Sequence, residues 1–368
     1  MTTDAGTVPA QPAPARRRSR ARQVVSVAIS IAIVVGVFWY FLPQFANITD
    51  VWSSVRAMTW LEITVLVVAA LWNVASYGLV LVPSMPGLTF GQAFVVTESS
   101  TAVSNTLPGG SAVGIGMTYA MYSSWGFSPS RATVSVLLSG IWNNFAKLGI
   151  PVLALALLAL QGTPSAGRLL AGLLGIAGLV GAIGVFALML RSEEMARRTG
   201  QVAARVAAPL VRLLKKPPPV GWERATTKFR ARTISLLRSR WHVLTAATLL
   251  SHVSLFVLLL LSLRYAGVSA AEVGWIEALA VFAFARLVTA IPITPGGLGI
   301  VEIALIAGLT AAGGAAAPVA AGVLMYRALS YVLPVPLGVV TYLYWQRNTR
   351  WRRAPDTAPR SELVLEQV

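Results

Sequence analysis

The chain of 368 residues contains no cysteine. Disulfides, thiolate metal sites and cysteine nucleophiles are therefore excluded. Histidine is nearly absent too, with only His242 and His252, which excludes a histidine-rich metal centre. Acidic residues number 13, and charged residues of both signs make up only 12% of the chain. That is about half of the ~25% usual in soluble domains. Hydrophobic residues make up 56% of the chain, and mean hydropathy is +0.69. A soluble fold cannot hide that much apolar surface, so an ordinary cytosolic enzyme and a disordered chain are both excluded. No Ser/His/Asp set, metal-ligand spacing or phosphate-binding loop is present. The Gly-rich turns follow no strand and match no nucleotide fingerprint. No catalytic residue, metal or cofactor is expected.

What the chain does have is positive charge in a few places. The net charge is +17, from 30 Lys and Arg. Five arginines lie in residues 1–23, thirteen basic residues lie in 191–240, and five follow residue 345. Basic clusters beside apolar spans mark the cytoplasmic side of a membrane and attract anionic headgroups. No base-stacking platform accompanies them, so nucleic acid is not the expected partner.

Residues 1–23 read as a disordered basic tail. The apolar run 24–42 is long enough to span a bilayer. It ends in Phe38-Trp39-Tyr40-Phe41, an interfacial aromatic belt rather than a cleavage site. Further spans are expected at about 60–82, 131–160, 168–190, 241–264 and 316–345. Two stretches fit no simple span. Residues 90–124 contain Glu98, Asn105 and Pro108-Gly109-Gly110, and residues 272–312 contain Arg286, Thr294, Pro295-Gly296-Gly297 and Glu302. Each reads as a helix, a Pro/Gly break and a second helix. Such breaks are tolerated at membrane depth only inside protein or beside a water-filled cavity.

Placing the three basic clusters inside settles the direction of every span. The stretch 90–124 then starts and ends inside, and 272–312 starts and ends outside. The expected fold class is an all-α polytopic membrane protein with an inverted-topology repeat. It has about six full spans and two re-entrant hairpins. The first repeat covers 24–160. The second covers 168–345 and contains the basic loop 191–240. A basic tail, 346–368, closes the chain.

The run Arg286-Leu287-Val288-Thr289-Ala290-Ile291-Pro292-Ile293-Thr294-Pro295-Gly296-Gly297-Leu298-Gly299-Ile300-Val301-Glu302 resembles the signature of the lysylphosphatidylglycerol synthase transmembrane-region family. This is the flippase-like domain of multiple peptide resistance factors and stand-alone relatives. Glu98-Ser99-Ser100 and Asn105-Thr106-Leu107-Pro108-Gly109-Gly110 look like the same family's first hairpin. The resemblance covers about 24–345. It implies movement of a phospholipid or isoprenoid-linked lipid between leaflets. Only a short tail follows the last span, so the synthase activity in the family name is not expected.

Seven cations lie outside the basic clusters. Arg56, Arg131, Arg168 and Arg264 fall at span ends, where such residues anchor or snorkel. Lys147, Arg286 and Arg327 lie at depth, where a charge needs a partner or a polar cavity. The acids at depth are Glu98, Glu277 and Glu302. One reading pairs these charges internally, for instance Glu302 or Glu98 with Arg327 or Arg286. The other makes the cations a phosphate site, with help from the helix starts after Gly109-Gly110 and Gly296-Gly297. Asn143 and Lys147 share a helix face, and Arg327 and Tyr331 share another. The candidate substrate-binding set is Glu98, Asn105, Gly109, Gly110, Asn143, Lys147, Arg286, Thr294, Gly296, Gly297, Glu302, Arg327 and Tyr331. His252, alone in an apolar span, reads as a satisfied structural residue.

The expected function is translocation of a lipid or lipid-linked anion across a cell membrane, with both termini cytoplasmic. The alternatives are a secondary carrier for a small anionic solute and an accessory scaffold for a membrane glycosyltransferase. Expected partners are membrane lipids, anionic headgroups at the cytoplasmic face, and a glycosyltransferase or lipid synthase. An embedded lipid-modifying enzyme is disfavoured because no acid/base/nucleophile set is visible.

Overall fold

The computed structural model describes residues 53, 56–107, 110–162, 166–195, 197–198, 200–202, 205, 222–289 and 295–353. The expected first span, 24–42, and both expected tails up to residue 23 and from residue 354 lie outside the described residues. So do most of the loop from 206 to 221 and the tips of the two Pro/Gly breaks.

Among the described residues there is no strand. The helices are α1 (Trp60–Ser84), α2 (Phe90–Thr106), α3 (Gly110–Ser124), α4 (Pro129–Gln161) and α5 (Ala166–Arg191). They continue as α6 (Trp222–Tyr265), α7 (Trp275–Val288), α8 (Ile300–Ala311), α9 (Ala316–Arg327) and α10 (Pro334–Arg347). Five stretches are long and apolar enough to cross a membrane: α1, α4, most of α5, residues 229–265 of α6, and α9 through α10. The chain is thus an all-α polytopic membrane protein. Helix α6 begins well inside the stretch that charge alone marks as a basic loop, because Trp222–Arg240 continues its helix without a break. The helices α2, α3, α7 and α8 have 17, 15, 14 and 12 residues, all short of the ~20 that a full crossing needs.

Local sequence sets the helix starts. Thr59 and Thr89 cap α1 and α2, and each forms a reciprocal pair with the third residue inside, Glu62 and Gln92. These pairs satisfy backbone N–H groups that no carbonyl reaches. The last span is not one regular helix. Ala328–Val332 forms a π-helical turn between α9 and α10. Leu333 N bonds the carbonyl of Ala328, five residues back. Pro334 has no N–H to give the carbonyl four residues back, so the regular ladder cannot continue there.

Helix α1 packs along α6, α2 lies against α3 and α10, and α4 lies against α5, α6 and α7. Lipid is as apolar as leucine, so close packing and interhelical hydrogen bonds hold such helices together. Gly322 of α9 is one such contact, because a Cβ there would come within 2.9 Å of Leu263 on α6. Gly338 of α10 is another, facing Ala102 and the Glu98 carbonyl on α2. Hydroxyl bonds tie Ser76 to Ser254 at 3.2 Å and Ser99 to Thr341 at 2.9 Å. The central core joins Leu66, Leu258, Leu259, Phe282, Leu305 and Val323 from five helices. Helix α5 lies outside this core and leaves Leu173, Leu174, Val180 and Val185 exposed.

Candidate functional site

The two broken stretches meet at Arg327 and Tyr331. Arg327 ends α9 and is 7% exposed. Its Nε donates to Glu302 Oε1 at 2.6 Å and its Nη2 to the Gly296 carbonyl at 3.3 Å. Its guanidinium lies 4.6 Å from the centre of the Tyr331 ring, a cation–π distance. Tyr331 sits on the π turn and donates its hydroxyl to the Asn105 carbonyl at 2.6 Å. Asn105 Nδ2 donates back to the Tyr331 carbonyl at 3.3 Å. Residues from both hairpins therefore converge on one turn of the last span.

Backbone shape makes this convergence possible. Gly296 has φ +58° and Gly297 has φ +72°, in the left-handed region that glycine enters without penalty. A Cβ on Gly296 would overlap the Tyr331 ring and come within 3.1 Å of Asn105 Oδ1. Glu302 lies in the first turn of α8, where the partial positive charge of the helix end favours a carboxylate.

Arg286, Lys147 and His252 form a second charged cluster. Arg286 on α7 lies within electrostatic reach of Lys147 on α4 and of His252 on α6. His252 Nδ1 contacts the Thr248 carbonyl at 3.0 Å, while its Nε2 is buried without a partner. Arg286 Nε is likewise buried without a hydrogen-bond partner. Among the described residues no carboxylate pairs with Arg286 or Lys147. The sequence reading left Glu302 open to Arg327 or Arg286, and Arg327 takes it. Asn143 is half-buried one turn before Lys147.

Glu98 belongs to neither cluster. It is 1% exposed on α2, and its Oε2 has no hydrogen-bond partner. Gly110 is buried at the start of α3 and presses on Ser104 of α2, so its place is in packing. Gly109 and Thr294 lie outside the described residues. Two residues absent from the candidate set belong near the site. Tyr77 of α1 lies within electrostatic reach of Arg286, Glu98 and Arg327. Tyr326 of α9, 2% exposed, is within reach of both arginines and of Tyr77. The signal for Tyr77 was its place beside Asn73 and Ser76, a polar stripe in an otherwise apolar span. Among the described residues no three His, Asp or Glu gather as metal ligands.

Apolar spans, short paired helices and charges buried between them define a multi-pass membrane protein. Its family is equally plain. The model of the lysylphosphatidylglycerol synthase TM region matches residues 27–338, and the chain belongs to that family. No curated protein matches it.

Proposed function

We propose that the protein moves a phospholipid or lipid-linked anion between the leaflets of a cell membrane, as a flippase-like carrier without covalent chemistry. One observation carries this reading. Arg286, Lys147 and His252 lie within electrostatic reach of one another among the helices, and no described acid pairs with Arg286 or Lys147. A cation at bilayer depth costs ~2.5–3.5 kcal/mol even on insertion scales, and like charges brought together add to that. An anion passing through would offset both. The Arg327–Glu302 pair then holds the second break in shape beside the path.

The helix contacts support an inverted repeat, with α1 to α4 corresponding to α6, α7, α8 and α9–α10. Helix α4 packs on α7, as α10 packs on α2. Helix α3 meets α4, as α8 meets α9. Helix α1 meets α4, as α9 meets α6. Helices α1 and α6, which correspond to each other, pack together. Such repeats place the site at the midplane between them, and the short α2–α3 and α7–α8 pairs are read as re-entrant hairpins from opposite faces. The basic clusters favour cytoplasmic termini. A glycosyltransferase or lipid synthase is the proposed supplier or user of the cargo.

The test is headgroup accessibility in proteoliposomes across several fluorescent phospholipids and an isoprenyl phosphate. Faster redistribution of at least one anionic lipid is expected over empty liposomes, and Arg286→Gln is expected to remove it. Uptake of a soluble anion with no lipid movement would favour the solute carrier. No movement of either would favour the scaffold.

A further inference from the structure

A cavity of about 810 Å³ lies away from both charged clusters, where α1 ends, α4 begins and α6 passes. Arg131, Arg232 and Arg240 line it, together with serines of α4 and α6, and no Asp or Glu does. Arg131 is held in place. It donates to the Pro86 carbonyl, and its guanidinium lies 5.2 Å from the centre of the Phe127 ring. Arg232 is exposed and Arg240 half-buried. Neither pairs with a carboxylate among the described residues.

The start of α4 adds donors to the same cavity. Ser128 is the capping residue, but its side chain makes no cap bond. The first helical residue is Pro129, which has no N–H. The amides of Ser130 and Arg131 follow it in the first turn, where no helix carbonyl reaches them. Three guanidiniums, several hydroxyls and two free amides suit a multiply charged, oxygen-rich anion. Arginine binds phosphate oxygens two at a time, which favours phosphate over a lone carboxylate. The location points to the source. The apolar spans of α1 and α4 end and begin here, so the cavity opens at the membrane edge, with Val134 and Leu236 on its apolar wall.

We propose that this cavity binds the phosphate group of an anionic membrane lipid, as a recognition site separate from the cations of the core. The inference stands apart from the translocation reading, because it concerns binding at the rim and not passage.

The test reconstitutes the full chain in nanodiscs of phosphatidylcholine with a minor share of phosphatidic acid. Retained lipid is read by native mass spectrometry. The variants are the R232Q/R240Q double and R238Q, on the same helix but off the cavity. The expected result is preferential retention of phosphatidic acid by the wild type, lowered about tenfold in the double variant. R238Q should retain it as the wild type does. If the double variant does not fold, thermal unfolding of the wild type with and without phosphatidic acid decides, and stabilisation by that lipid is expected. An equal loss in R238Q would reduce the effect to general surface charge and overturn the site. Unchanged retention in the double variant would overturn it too. Stabilisation by inorganic pyrophosphate, with no difference between the two lipids, would overturn the lipid source.

Discussion

Arg327 is buried and Arg286 half-buried among the membrane helices; Arg286 precedes the second Pro/Gly break and Arg327 bonds the Gly296 carbonyl within it. Their surroundings differ. Arg327 has a carboxylate at 2.6 Å, a backbone carbonyl and an aromatic face. Arg286 has an unpartnered Nε and two basic neighbours, Lys147 and His252. A cation with its counter-charge and hydrogen bonds in place holds structure together. A cation kept beside other basic groups lacks that counter-charge, and under the proposed function a passing anion would supply it. The first arrangement locks the two hairpins to the last span. The second leaves Arg286 of α7 without a described carboxylate, within electrostatic reach of Lys147 on α4 and His252 on α6.

The sharpest way to break this comparison is to remove one arginine at a time and read stability. Arg327→Gln leaves Glu302 buried without its partner, which should lower stability by about 3–5 kcal/mol. The readout is thermal unfolding in detergent. Adding Glu302→Gln should restore most of that loss. Arg286→Gln strands no described acid, so it should leave stability unchanged or raise it slightly. Equal destabilisation by both single changes would erase the distinction.

A smaller effect is expected from the turn itself. Gly296→Ala places a Cβ against the Tyr331 ring and at a positive φ, and should cost about 1–3 kcal/mol. Its thermal loss should shrink when Tyr331 is also reduced to alanine, since the clash is with that ring. No coupling between the two would mean that the turn does not rest on Tyr331.

The smallest expected effect belongs to Tyr331→Phe. It removes the bond to the Asn105 carbonyl but keeps the ring over Arg327, and should cost about 1 kcal/mol. A much larger loss would shift the weight of the hairpin junction from the Arg327–Glu302 pair to this hydrogen bond.

Much of the architecture was legible in the sequence. Apolar runs broken by Pro and Gly marked five of the spans among the described residues and the four short helices, because length and polarity are local properties. The π turn at Ala328–Val332 was not read, although Pro334 carried its cause. It depends on how the chain repairs a missing N–H, and several repairs are open to it. Tyr77 was missed because the stripe it forms with Asn73 and Ser76 looks the same whether it bonds a neighbouring helix or faces a charge.

Composition and charge placement determined that the chain is a multi-pass helical membrane protein, and the run from Arg286 to Glu302 pointed to its family. Which cation takes Glu302 was decided only in three dimensions. Arg286, Lys147 and Arg327 are equivalent as isolated letters in apolar surroundings. Only the packing of α7, α8 and α9 sets Arg327 on the carboxylate and leaves Arg286 without it, because ion pairing falls off within a few ångströms and sequence distance does not measure that separation.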